Sequence, residues 1–86
     1  MANTTSAEKR AREAIARRAR NVAHRSKVRS AVRMVVEAIR AGKKDEAQAA
    51  LKAAAPVIDS MARKGIIHRN KAARHKSRLA ARIKAL

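Results

Sequence analysis

Residues 28–39 carry Val28, Val32, Val35, Val36 and Ile39, spaced by four, three, one and three. That pattern lines one face of an α-helix with apolar side chains. Continued backward at roughly 100° per residue, the same face meets Arg10, Ala14, Arg17, Asn21 and Arg25. One helix therefore has a face that suits a core in its second half and repels one in its first. The first half is expected to project, bare and basic, beyond whatever the second half packs against. A helix over about residues 5–41 is about 54 Å long, against about 30 Å for either helix that the rest of the chain can form.

Gly42 and Gly65, the two glycines of the chain, each end a periodic segment and read as left-handed residues just past a helix C-terminus. They divide the chain into helices of about 5–41, 45–64 and 67–86 within a single domain, 1–86. The segments Thr5–Glu8 (TSAE) and Asp45–Gln48 (DEAQ) fit capping boxes. Asp45 and Glu46 also place negative charge where the dipole of the second helix favours it. For the third helix two starts stay open: Asn70 as a cap, or a start directly after Gly65. Pro56 cannot donate a backbone hydrogen bond and crowds the carbonyl of Lys52. The series Ala47, Ala50, Leu51, Ala54, Ile58 and Met61 nevertheless runs through it at helical spacing, which predicts one kinked helix rather than two short ones. Ala72, Leu79, Ile83 and Leu86 form an apolar arc on the third segment, with Ile66 and Ile67 anchoring the turn that precedes it. The predicted fold is an all-α three-helix bundle. Its long basic first helix projects beyond the bundle, its second is Pro-kinked, and the middle and C-terminal helices pack against Val28 to Ile39.

Such a bundle has a sparse core. Of the 40 apolar residues 22 are Ala, and there is no Phe, Tyr or Trp. Ala, Arg, Lys, Glu and Leu are good helix formers, so local propensity agrees with the pattern. Charge dominates everything else: 23 Lys and Arg stand against 6 Asp and Glu, a net +17. Residues 1–29 hold nine basic and two acidic residues, residues 30–62 five and four, and residues 63–86 nine and none. The middle is a nearly neutral packing segment between two polycationic ends. So much like charge on so small a body opposes compaction, and a polyanion relieves it, with affinity that falls steeply as salt rises. The acids of the first helix are expected to form Glu8–Arg12, Glu13–Arg17 and Arg33–Glu37 pairs, each worth about 0.2–0.5 kcal/mol.

The absence of cysteine excludes a disulfide framework and a thiolate metal site. The opening MANTTSAEKR has no apolar segment, so no secretory signal is expected, and no run approaches a membrane span. A membrane-active helix needs bulky apolar residues beside its cations, and residues 1–25 offer only Met1, Ile15 and Val22.

The stretch Lys64–Leu79, KGIIHRNKAARHKSRL, has six Lys or Arg, two His and no acid. His68 and His75 are seven residues apart, about 10 Å along a helix, too far for one zinc ion with bonds of about 2 Å. Their neighbours are cations, so no metal, cofactor or catalytic centre is expected. No Ser-His-acid spacing stands out, and no glycine-rich phosphate loop exists. Lys71, Arg74, Arg78 and Arg82 recur at three, four and four, which lines them on one helix face bordered by His75. A solvated face usually mixes signs, whereas residues 60–86 contain no acid, so this ridge points to phosphate binding. Arg suits the task because its planar fork takes phosphate oxygens in pairs. Lys76 is ambiguous, free either to snorkel outward or to reach over a groove between helices. Without aromatics, stacking on unpaired bases is minor, which leaves backbone and shape recognition by rigid helices. Structured RNA suits a rod and a ridge together, and a histone-like, non-specific DNA compactor is the alternative.

The stretch KGIIHRNKAARHKSRL, with the opening MAN..SAEKRAR, the segment RNVAHRSKVRS and the segment AAPVIDSMARKG, resembles the twentieth protein family of the bacterial small ribosomal subunit. The resemblance spans almost the whole chain. It implies a three-helix bundle whose first helix extends into ribosomal RNA. It also implies direct, early binding to 16S ribosomal RNA, at its 5′ domain and the long helix near its 3′ end. Lys9, Arg10 and Arg12 match the family's opening motif. Asn21, Ser26 and Arg29 match its first-helix motif, and Lys64, His68, Asn70, Lys71, Arg74, His75 and Lys76 its third-helix motif. Pro56 matches a proline inside its second helix. Glu8 departs from the pattern, standing where a basic residue is common. To these candidates the cationic rod adds Arg17, Arg18, Arg20, Arg25 and Lys27, and the ridge adds Arg69 and Arg78. The expected protein is therefore a non-enzymatic, cytoplasmic component of the small ribosomal subunit. It is expected to have few or no protein partners, no membrane contact and no homo-oligomer. Residues 1–25 are expected to fray until RNA orders them.

Overall fold

The computed structural model describes residues 2–86, and Met1 lies outside the described residues. Among them there are three helices and no strand: α1 (Ala2–Arg40), α2 (Lys44–Arg63) and α3 (Arg69–Lys84). The molecule measures 64 × 21 × 14 Å, and the long dimension follows from α1, whose 39 residues extend about 58 Å.

Both glycine turns close as expected, and in the same way. Gly42 and Gly65 have φ of 71° and 76°, the left-handed conformation that costs other residues about 1–2 kcal/mol. Gly42 N–H donates to Ile39 O and Lys43 N–H to Ala38 O. Gly65 N–H likewise donates to Ala62 O and Ile66 N–H to Met61 O. Each pair is a Schellman motif that satisfies carbonyls left over at the helix end. At the second, Ile66 is half-buried and packs on the core that contains Met61, with Ile67 beside it, so the turn is anchored by both isoleucines.

The helix starts differ from the expected ones. Thr5 does not cap α1, which already runs through it from Ala2. Asp45 does not cap α2: the cap position is Lys43, without a side-chain cap hydrogen bond, and Asp45 and Glu46 lie in the first turn. The Schellman turn passes the chain straight from Gly42 into α2, so the helix is already under way at Asp45. Lys43 instead approaches Glu46 at 3.8 Å. For α3 neither offered start holds. His68 is the cap, extended at φ −72° and ψ 145°, and its Nδ1 accepts the backbone N–H of Asn70 at 3.0 Å. α2 continues unbroken through Pro56, which is exposed and supplies no backbone N–H to the Lys52 carbonyl.

The core gathers Val28, Val35 and Ile39 from α1, Ala47, Ala54, Ile58 and Met61 from α2, and Ala72, Leu79 and Ile83 from α3. Val32, Val36, Ala50 and Leu51 are half-buried around it. Leu86, expected in the α3 arc, is 44% exposed, lying past the end of α3 at Lys84. α2 is the hub. It packs along α1 and also carries α3, while α3 touches α1 only sparsely. The expectation that α3 packs on Val28 to Ile39 is thus met only in part, and an open groove lies between α1 and α3.

Candidate nucleic-acid interface

Every residue from Thr4 to Arg20 is exposed, so the front half of α1 is a rod without a packing partner. Its cations surround it. At roughly 100° per residue, Arg10 and Arg17 continue the line of the core stripe, Lys9, Arg20 and Lys27 share another side, Arg12 faces a third, and Arg18, Arg25 and Arg29 a fourth. A helix polar all round is solvated or enclosed by a polar partner rather than laid on a core. None of the three expected i,i+4 pairs closes. Among the described residues the ion pairs are Lys43–Glu46 and Lys76–Asp59. Exposed pairs gain too little to hold two long side chains together, so the arginines of α1 keep their charge available. His24 marks the point where rod meets bundle, half-buried, with its Nδ1 enclosed and without a hydrogen-bond partner.

The line Arg18, Arg25, Arg29 continues at the same spacing to Arg33 and Arg40, and this brings it into the α1–α3 groove. There a recess of about 570 Å³ has Arg25, Arg29, Arg33 and Arg40 on the α1 wall and Lys71 and His75 on the α3 wall, over Val28, Val32, Val36 and Ile67. A second recess, of about 320 Å³, shares Val32, Val36, Lys71 and His75 with the first and adds Arg74, Arg78 and Arg82. The two form one groove, apolar at its floor and cationic along both walls, with Glu37 as the acid on its edge. The other side of α1 contrasts with it. Ala31, Met34, Ala50, Ala53 and Val57 line an open notch there, and Lys27 is the cation on its border.

The third-segment candidates divide. Lys71, Arg74, His75 and Arg78 line the groove. Lys64, Arg69 and Asn70 are exposed around the α2–α3 turn. His68 turns Nδ1 toward its own helix end, which leaves its proton on Nε2. Lys76 crosses to α2, with Nζ 2.7 Å from Asp59 Oδ1, so of its two sequence readings the reach across an inter-helix gap is the one realised. Arg33 and Arg40, absent from the sequence candidates, belong to the groove as fully as Arg29. The repeat of arginines at 25, 29 and 33 is visible in the sequence, but its i,i+4 spacing from Glu37 reads equally as an ion pair for Arg33, which does not close. His75 is half-buried and has a pKa below the ordinary 6.5, first because burial disfavours its charged form and then because Lys71, Arg74 and Arg78 crowd it with positive charge.

No group of three or more His, Cys, Asp or Glu is placed to hold a metal ion among the described residues, and no helix is long and apolar enough to cross a membrane. The arrangement suits a ligand that is long, regular and negatively charged. The model of the family described as ribosomal protein S20 matches residues 2–84. The chain belongs to the ribosomal protein S20 family. It is 60% identical to small ribosomal subunit protein bS20 of Thioalkalivibrio sulfidiphilus over the whole of both chains. With bS20 of Pseudomonas aeruginosa it shares 62% identity over all of this chain and 94% of the relative. With bS20 of Nitrosococcus oceani it shares 56%, over 99% of that relative. As a member of the S20 family the chain is a structural ribosomal protein and not an enzyme.

Proposed function

We propose that the chain is a constituent of the small ribosomal subunit that binds 16S ribosomal RNA directly and supports assembly of the subunit. The observation that carries this reading is the continuity of the rod with the groove. One line of arginines on α1 runs from Arg18 to Arg40, and from Arg25 onward it faces the α3 ridge. The names of the relatives point to the same subunit. With cations on all its sides, the rod inserts where RNA helices converge and neutralises phosphates around its circumference. The groove takes a single backbone, its guanidinium forks engaging phosphate oxygens in pairs. Base stacking plays little part, since the chain has no aromatic residue, and recognition rests on A-form shape and backbone spacing. By family resemblance the RNA elements contacted are the 5′ domain and the long helix near the 3′ end.

The competing reading is a DNA compactor that binds any duplex. A competition experiment at about 0.2 M salt, where non-specific binding is weak, separates the two. Labelled chain bound to 16S ribosomal RNA is challenged with unlabelled 16S ribosomal RNA or random duplex DNA. The ribosomal reading expects displacement by the RNA at far lower concentration, and equal displacement by DNA overturns it.

A further inference from the structure

His75 sits where the two halves of the α1–α3 groove meet, and it lines both. It is half-buried, and among the described residues its ring has no hydrogen-bond or ion-pair partner. Both ring nitrogens are thus uncommitted in a recess with positive walls. From its own helix Lys71, Arg74 and Arg78 face it. Across the recess stand Arg25, Arg29, Arg33 and Arg40 of α1, with Arg82 of α3 further along the groove and Glu37 the single opposing charge. α2 contributes no residue to the groove. A neutral imidazole is the form this setting favours in the free protein, because one more cation in the groove adds repulsion and loses hydration.

A phosphodiester that enters the groove reverses the local balance. Its charge offsets the surrounding cations, and its oxygens offer the imidazole an acceptor for a charge-assisted hydrogen bond. We propose that a backbone phosphate of the bound RNA seats against His75 in the α1–α3 groove, and that the imidazole takes up a proton from solvent as the phosphate enters. This rests on the reading of the chain as an RNA-binding protein. It adds that the groove's affinity is coupled to pH, strengthening as pH falls, and that His75 is the group responsible. The coupling runs opposite to the effect of protonating His75 in the free protein, where added positive charge disfavours the fold.

Calorimetric titration of the full chain with a 16S ribosomal RNA transcript, at pH 7 in two buffers of different ionisation enthalpy, reads the protons exchanged. The wild type is expected to take up protons, and its affinity to rise as pH falls from 7.5 to 6, by at most about tenfold per unit for one proton. His75→Gln is expected to lose that uptake, while His24→Gln keeps it. RNA binding without proton uptake, or uptake that persists in His75→Gln, overturns the inference and leaves the RNA-binding reading intact. Failure of the transcript to bind overturns both. A second measurement needs no variant. In the wild type, the NMR titration midpoint of the His75 ring is expected to move up when sulfate, a non-titrating stand-in for a phosphodiester, replaces chloride at constant ionic strength. A midpoint that moves no more than that of His24 overturns the inference.

Discussion

Replacing Arg29, Arg33, Arg74 and Arg78 together with Gln removes two cations from each wall of the α1–α3 groove while keeping a polar, hydrogen-bonding side chain. These residues are exposed, so the fold is expected to tolerate the change, and lower repulsion across the groove favours it. If each guanidinium neutralises one phosphate, the slope of log K against log salt falls by about 0.7–0.9 per contact, or about 3 in all. Extrapolated from 1 M, a slope smaller by about 3 lowers the affinity at 0.1 M salt about a thousandfold. The assay is fluorescence anisotropy of labelled 16S ribosomal RNA fragments across a potassium chloride series. The proper control removes charge elsewhere. Lys44, Lys52 and Lys84 line a separate recess between α2 and α3, and their triple replacement with Gln is expected to leave the slope nearly unchanged. Equal loss of slope per charge removed in the two variants would show that affinity tracks net charge alone, and would refute the groove as a defined phosphate seat.

Other expectations concern the fold. Ile58 is fully buried at the hub of the bundle, and Ile58→Ala is expected to cost about 2–5 kcal/mol. That is most of what so small a core supplies, so thermal unfolding by circular dichroism is expected to show a largely unfolded variant. His68→Ala removes the acceptor for Asn70 N–H and is expected to cost about 1 kcal/mol. His68→Asn recovers most of it in chemical denaturation. Because the pKa of His75 is lowered by folding, the unfolded chain binds more protons below about pH 6.5. Stability is therefore full above that value and declines as pH falls toward the lowered pKa, whereas His75→Gln flattens this part of the profile. Hydrogen exchange of the free chain is expected to show little protection over residues 4–20, where no side chain is buried, and strong protection once RNA is bound.

The periodic apolar residues made most of this fold legible. Val28, Val35, Ile39, Ala47, Ala54, Ile58 and Met61 all enter the core, and the projecting rod followed from the failure of that stripe before residue 28. Gly42 and Gly65 marked their turns because only a left-handed residue ends a helix in that way. The helix starts were harder. The residues around Thr5 and Asp45 satisfy a capping pattern in sequence, yet the pattern cannot register that a helix has already begun upstream. His68 as a cap lies outside the usual Ser, Thr, Asp and Asn set, so a capping pattern does not single it out. The groove was the least legible feature. It exists because α3 leans on α2 and stands off α1, a packing choice that no single segment encodes. Arg33 and Arg40 consequently carry no sequence signal of a place in the groove, and the role of Lys76 depends on Asp59 of the neighbouring helix.

The central claim, that rod and groove together hold the chain on small-subunit RNA, is tested most directly by where the chain resides in its own cells. Tagged chain is followed through a sucrose gradient at about 0.2 M salt, a concentration at which loosely attached cations are shed. The account predicts co-sedimentation with the small subunit at one copy per 16S ribosomal RNA, with loss of the peak in the Arg29, Arg33, Arg74 and Arg78 variant. Chain that remains at the top of the gradient, or that travels with DNA, would contradict it.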